Sequence, residues 1–247
     1  MSERGRSEKV RALVTGGSGA IGAAICRRLC AAGHHVVVHG SRRLDAAQQL
    51  ADELREGGGE ASAVGFDVTD AAATRAVLDE LLSSGPIQIL VNNAGVHDDQ
   101  VFAGMGAERW QRVLDVNLNG FFNVTQPLTL PMLHTRWGRI VNVSSVAAQR
   151  GNRGQVNYAA AKGALEAATR SLALELATRG VTVNAVAPGI IASEMSEGAF
   201  DAARIAADVP MRRAGTPDEV AALVAWLCRR EAGYITGQVI GVNGGIG

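Results

Sequence analysis

Short apolar runs alternate along the chain with longer stretches whose apolar positions recur every three or four residues. The short runs lie at 10–14, 35–39, 61–66, 88–91, 138–143, 181–186 and 238–242 and lack the apolar–polar alternation of a one-sided strand. They predict strands buried on both faces, as in a parallel sheet covered by helices. The stretches at 20–32, 42–56, 70–83, 107–134, 155–179 and 217–229 predict those helices. No linker, repeat or low-complexity block breaks the pattern, so one domain over 9–247 is expected after a flexible polar tail at 1–8. Residues 188–210 form the one long connection without strong periodicity, bounded by Pro188-Gly189 and Pro210, and predict a flap over a pocket.

A glycine-rich turn, TGGSGAIG at 15–22, follows the first strand and runs into an amphipathic helix. An eight-stranded α/β barrel would show similar alternation at this length. A glycine turn at this place favours instead an open, doubly wound, Rossmann-type α/β fold with a seven-stranded parallel sheet. Small residues there let the backbone approach a pyrophosphate, whose charge meets the unpaired amides of the helix start. Gly16, Ser18, Gly19, Ala20 and Ile21 are therefore candidate dinucleotide contacts.

The second strand ends in Ser41, Arg42 and Arg43, with no carboxylate at its tip. A carboxylate there would accept from a free 2′-hydroxyl, whereas arginine favours a 2′-phosphate, so NADP(H) is expected over NAD(H). Asp67, followed by Val68 in FDVTD, stands where a carboxylate could meet the adenine amino group or cap the next helix.

Composition adds exclusions. With 47% apolar and 19% charged residues, and Lys plus Arg equal to Asp plus Glu at 24 each, bulk charge points to neither nucleic acid nor a membrane surface. The polar start MSERGRSEK and the lack of a run of membrane-spanning length make a cytoplasmic protein the expectation. Cys26, Cys30 and Cys228 read as small packing residues rather than a disulfide or metal set. His34, His35, His39, His97 and His134 lack metal-ligand spacing and read as surface or strand-edge residues, so no metal is expected.

Tyr158 and Lys162 stand four apart in YAAAK, which on a helix puts phenol and ammonium on one face. A cation there stabilises phenolate, so the phenol is expected to fall below its ordinary value of about 10, by roughly three units at most. Ser145 lies thirteen residues upstream. Together with a nucleotide site, these side chains form a candidate proton donor for carbonyl reduction.

The ordered set TGGSGAIG, DVTD, NNAG at 92–95, Asn117 in DVNLNG, Ser145 in NVSSV, YAAAK, Pro188-Gly189 and YITGQVIGVNGG resembles the short-chain dehydrogenase/reductase family over essentially all of 9–247. Ala20 departs from the family's usual glycine, and Gly19 stands where a basic residue is often found. The resemblance implies that Tyr158 protonates the carbonyl oxygen and Ser145 hydrogen-bonds it as charge develops. It also implies that Lys162 lowers the tyrosine pKa and binds the nicotinamide ribose, and that Asn117 positions a water linking Lys162 to solvent. Ser144 would face elsewhere. Asn92, Asn93, Ala94 and Gly95 would form the cofactor wall, and Pro188, Gly189, Ile191 and Ser193 would contact the nicotinamide.

Within that family GNRGQVNYAAAKGAL is most similar to the 3-oxoacyl-acyl-carrier-protein reductases. That likeness implies an acyl carrier protein as partner, with Arg136 and Arg179 as exposed cations near the mouth of the site. Both arginines also suit helix ends. Asp98 and the ASEMSEGAF segment depart from the usual reductase pattern. A coenzyme A thioester or another ketone therefore stays an alternative, as does a non-catalytic nucleotide-binding regulator. Alanine- and leucine-rich faces at 107–134 and 155–179 exceed what one sheet can cover, and with the family's habit imply a homotetramer.

Overall fold

The computed structural model describes residues 9–192 and 202–246. Its elements run β1 (Arg11–Val14), α1 (Ala20–Ala31), β2 (His35–Gly40), α2 (Leu44–Glu56), β3 (Glu60–Gly65), α3 (Ala71–Ser83) and β4 (Ile89–Asn92). They continue with α4 (Ala107–Leu114), a π-type turn (Asp115–Asn119), α5 (Gly120–His134), β5 (Gly138–Val143), α6 (Val146–Arg150) and α7 (Val156–Leu176). The last are β6 (Val181–Pro188), α8 (Ala202–Asp208), α9 (Pro217–Leu227) and β7 (Val239–Val242). Seven parallel strands pair in the order β3-β2-β1-β4-β5-β6-β7, the doubly wound Rossmann-type arrangement.

Side chains leave a strand alternately to its two faces, and each face here has its own core. Ala12 and Val14 join Ile25, Leu29, Val224 and Leu227 under α1 and α9, while Leu13 joins Leu78, Leu128 and Met132 under α3 and α5. Burial on both faces is complete for β6 but not for the edge strands β3 and β7, whose residues are largely half-buried. The expectation of full burial fails there because an edge strand has a neighbour on one side only.

The stretch 107–134 is helical throughout but widened at Asp115–Asn119, and 155–179 ends in a 3₁₀ turn at Ala177–Arg179. Residues 188–210, read as aperiodic, contain α8. The five-residue α6 is too short to leave a periodic signature. The free cysteines are buried, with Cys26 and Cys30 packed in α1 and Cys228 just past α9. No helix among the described residues is long and apolar enough to cross a membrane. The tail at 1–8 lies outside the described residues.

Candidate active site

The carboxyl ends of β1, β4, β5 and β6 open onto one cleft of about 860 Å³. At one end lies the glycine turn. Gly16 has φ 62°, and a Cβ there would lie 3.0 Å from the Ala94 Cα, so the turn needs a residue without a side chain. At Gly22 a Cβ would stand 2.2 Å from the Gly16 carbonyl oxygen. Gly19 precedes α1 in extended conformation, and no side chain caps that helix. The first amides of α1 are thus left to an anion, and Ser18, Gly19, Ala20 and Ile21 line the cleft beside them. The turn fits a dinucleotide's pyrophosphate.

His39 corrects its reading as a surface or strand-edge residue. It is 1% exposed, accepts from the Gly16 amide at Nδ1 over 3.0 Å, and has its Nε2 2.9 Å from the Phe66 carbonyl. The ring therefore bridges the glycine turn to the end of β3, and burial pushes its pKa down. Its signal in the sequence was position: it is the penultimate residue of β2, beside the turn.

Of the second strand's polar tip, Arg43 lines the cleft and donates to the Ser18 carbonyl over 3.1 Å. Ser41 and Arg42 are exposed and lie outside the cleft wall. Asp67 caps no helix. It accepts from the Thr69 amide and hydroxyl, which hold its carboxyl below the usual range with help from the Arg42 charge, and Asp70 caps α3. Val68 is buried away from the cleft against a small cavity.

Asn93, Ala94 and Gly95 line the cleft. Asn93 donates to the Thr15 and Gly16 carbonyls, 3.0 Å each, pinning the glycine turn. Asn92 does not share this wall. It is buried on the other side, donating to Thr125 and Asn142, because neighbouring residues at a strand tip face opposite ways.

The catalytic candidates meet where β5 ends. Ser145 follows the strand, accepts from the Ala147 amide over 3.1 Å as it starts α6, and hydrogen-bonds the Tyr158 phenol. Ser144 turns away as expected, its hydroxyl donating to Glu166 Oε1 over 2.7 Å. Lys162 is 3% exposed and donates to the Val143 carbonyl over 2.8 Å, with its Nζ 5.7 Å from the Tyr158 ring centroid.

The expected fall of the phenol below its ordinary value is reversed by burial. Burial pushes the Tyr158 phenol up, the Ser145 hydrogen bond offsets part of the rise, and Asp99 adds to it. Lys162 is itself lowered to about 8 by burial. Helical spacing did bring the two residues to one face, but the ammonium is directed at the strand carbonyl rather than the phenol oxygen.

Asn117 sits in the π-type turn, which diverts backbone donors from their usual carbonyls. Its Nδ2 donates to the Val113 and Val96 carbonyls over 2.8 and 2.7 Å, and its buried Oδ1 has no partner. A Cβ on Gly95 would stand 2.7 Å from that oxygen and 3.3 Å from Lys162 Nζ, so the two atoms converge over this glycine. A cavity of about 10 Å³, roughly one water, is lined by Asn117, Thr15 and Asn92.

At the far end Pro188, Gly189 and Ile191 line the cleft, and Ser193 lies outside the described residues. Sequence reading missed His97, Arg150, Asn152, Arg153 and Gln155, which complete this end. Their signal was position alone, between or beside the NNAG, Ser145 and Tyr158 motifs.

Arg136 and Arg179 do not come to the mouth. Arg136 precedes β5 and Arg179 precedes β6, at the amino ends of strands whose carboxyl ends form the cleft. The two are neighbours, since a Cβ on Gly180 would meet the Arg136 carbonyl oxygen at 2.5 Å. A six-residue strand such as β5 sets them back by about 20 Å.

Known proteins resemble this chain along most of its length. The sequence model of the short chain dehydrogenase family matches residues 10–204. Nodulation protein G of a Rhizobium species is 45% identical over 96% of both chains. Acetoacetyl-CoA reductase of Cupriavidus necator is 40% identical over 95% of this chain and 97% of its own. The 3-oxoacyl-acyl-carrier-protein reductase of Aggregatibacter actinomycetemcomitans is 43% identical over 95% of this chain and 98% of its own.

Proposed function

The chain belongs to the short-chain dehydrogenase family, and from that premise we propose that it reduces a 3-oxoacyl thioester to the 3-hydroxyacyl thioester using NADPH. It is an oxidoreductase that interconverts a carbonyl and an alcohol with a nicotinamide cofactor. The observation that carries the reading is the convergence of Ser145, Tyr158 and Lys162 on one wall of a cleft whose other end is an uncapped helix start behind a glycine turn.

A bound NADPH supplies the hydride. Tyr158 gives its phenolic proton to the carbonyl oxygen as negative charge builds there, and Ser145 donates a second hydrogen bond to that oxygen. The raised phenol pKa keeps Tyr158 in the acid form this direction needs. Lys162 and Asn117 support it: the partnerless Asn117 oxygen and the ammonium converge beside Gly95, where a water could carry a proton inward. Arg43 and the α1 amides hold the phosphates, with Arg42 as a more distant cation.

The thioester's handle is the finer question. The GNRGQVNYAAAK segment favours an acyl carrier protein, whereas relatives named acetoacetyl-CoA reductase favour coenzyme A as the second reading. Arg136 and Arg179 would serve a carrier only if a neighbouring subunit's cleft lay beside them. Exposed Phe122 and Leu130 on α5, Leu174 on α7 and a fully exposed Tyr234 support a homotetramer. The test is steady-state kinetics with acetoacetyl and longer 3-oxoacyl thioesters on both handles, comparing NADPH with NADH in wild type and Tyr158→Phe. Turnover that Tyr158→Phe loses by about a hundredfold or more, with NADPH still bound, supports the reading. No thioester turnover in the wild type would redirect it to other ketones.

A further inference from the structure

Two arginines on the cleft wall have no part in the chemistry above. Arg150 is the last residue of α6, five beyond Ser145, and Arg153 stands five before Tyr158. Both are exposed and both line the cleft beyond the reacting groups. Neither guanidinium has a hydrogen bond or ion pair with any described residue. Beside this turn, which Gln155 and Asn157 tie to residues 98–99, Asp98 is paired with Arg109 and Arg112, and Asp99 with His97 and Gln155. Asp208 is the only carboxylate among the described residues of the wall, against Arg43, Arg150, Arg153 and Lys162. A chain with equal numbers of acidic and basic residues has thus concentrated positive charge in one cleft.

The turn that carries the pair is fixed. Gly151 and Gly154 adopt φ of 76° and 85°, which turn the chain sharply after α6. The Gly151 amide donates to Ala147, the Gln155 amide to Asn152, and the Gln100 amide to Gly154, at 2.8–3.0 Å. Asn152 and Gln155 are also joined side chain to side chain over 2.9 Å. Two guanidinium forks carried by an ordered turn, unpaired among the described residues and lining a cleft, are suited to an oxyanion with several acceptor atoms.

We infer that Arg150 and Arg153 bind the phosphate of the phosphopantetheine arm that brings the thioester to Ser145 and Tyr158. This rests on the thioester-reductase reading and deepens it. The arm's phosphate is common to carrier protein and coenzyme A, while the adenosine phosphates belong to coenzyme A alone.

The experiment compares wild type, Arg150→Gln/Arg153→Gln and Arg150→Lys/Arg153→Lys on acetoacetyl-pantetheine, acetoacetyl-coenzyme A and an acetoacetyl carrier protein. The expected result is a KM raised about tenfold or more by the glutamine pair for both phosphate-bearing substrates, with kcat within about twofold. The lysine pair recovers part of the loss, and KM for the phosphate-free pantetheine thioester stays put. A uniform rise over all three substrates would mean a disturbed turn, and no rise in any would mean solvated charges; each overturns the inference. A rise with coenzyme A alone also overturns it, assigning the arginines to the adenosine phosphates. Wild type inactive on every thioester would instead refute the proposed function, so the two failures are distinguishable.

Discussion

The ammonium of Lys162 lies 2.8 Å from the carbonyl oxygen of Val143, held by the strand beneath it. Burial lowers its pKa from 10.5 to about 8. Below pH 8 the folded and unfolded chains both carry this proton, and the cost of burying the charge is fully present. Between about 8 and 10.5 the unfolded chain binds more protons, so this residue's contribution makes stability rise with pH. Lys162→Met is expected to lose turnover yet gain about 1–2 kcal/mol of stability at pH 7, after the unpaired Val143 carbonyl is counted. The gain should shrink by pH 10 in urea titrations. A variant less stable than wild type at pH 7 would refute it.

The raised Tyr158 phenol separates the two directions of reaction. Reduction needs the phenol and oxidation needs the phenolate. In the free enzyme, kcat/KM for oxidising the 3-hydroxyacyl thioester should climb about tenfold per pH unit from 7 to 9, with kcat/KM for reduction flat from 6 to 8. Oxidation already on a plateau at pH 7 would mean an acidic phenol.

Much of this architecture was legible beforehand, for identifiable reasons. Valine-rich runs such as 138–143 mark buried strands to within a residue or two, because a parallel sheet tolerates no polar face. The π-type turn around Asn117 was not legible, since 107–134 keeps an apolar rhythm that hides a locally wider pitch. Asn92 and Asn93 sit side by side in one motif, and only strand register decides which one lines the cleft. Spacing placed Tyr158 beside Lys162, but burial, which spacing does not report, reversed the expected shift of the phenol. Arg150 and Arg153 belong to no period, and only the fold brings them to the cleft.

Ser144 and Glu166 fasten β5 to α7 next to the reacting groups, because Glu166 lies one turn beyond Lys162 and Ser144 directly precedes Ser145. Glu166→Leu strands a buried hydroxyl whose remaining contact, to the Lys162 carbonyl, is 3.4 Å. The expected cost is about 1–2 kcal/mol of stability, with kcat falling more than KM rises. Glu166→Gln keeps an acceptor oxygen and should recover most of both losses. Equal defects in the two variants would mean that the carboxylate charge, not the acceptor, matters.

His39 couples the dinucleotide turn to protonation. Its Nδ1 accepts from the Gly16 amide and can do so only while neutral. Its folded pKa is lowered by burial, partly offset by its hydrogen bond to Phe66 and by Asp67. The unfolded chain therefore binds more protons as pH falls below about 6.5, and stability drops there while remaining intact above it. NADP+ affinity should hold through this interval and weaken only at lower pH, where the folded ring itself is protonated and the turn loses its acceptor. His39→Gln, without a titrating ring, should show a flatter profile from pH 5.5 to 7.5. A wild type whose stability is constant over that range, or whose NADP+ affinity falls as early as its stability does, would contradict the coupling.

Coenzyme choice should rest on Arg43 more than on Arg42. A 2′-phosphate at the tip of β2 needs a guanidinium facing the cleft, and Arg43 is on its wall, anchored to the Ser18 carbonyl of the glycine turn. Arg42 lies outside that wall, and its charge acts on Asp67. On the proposed NADPH preference, Arg43 would make a charge-assisted bond with the phosphorylated coenzyme alone, so Arg43→Ala should cut the NADPH-to-NADH ratio of kcat/KM by about tenfold or more. The loss should fall on NADPH, leaving NADH kinetics nearly unchanged. Arg42→Ala acts only through longer-range charge, screened within about 10 Å, and should change the ratio less than about threefold. Steady-state kinetics with both coenzymes on both variants decides between them, and a ratio that collapses in Arg42→Ala while surviving Arg43→Ala would reverse the assignment.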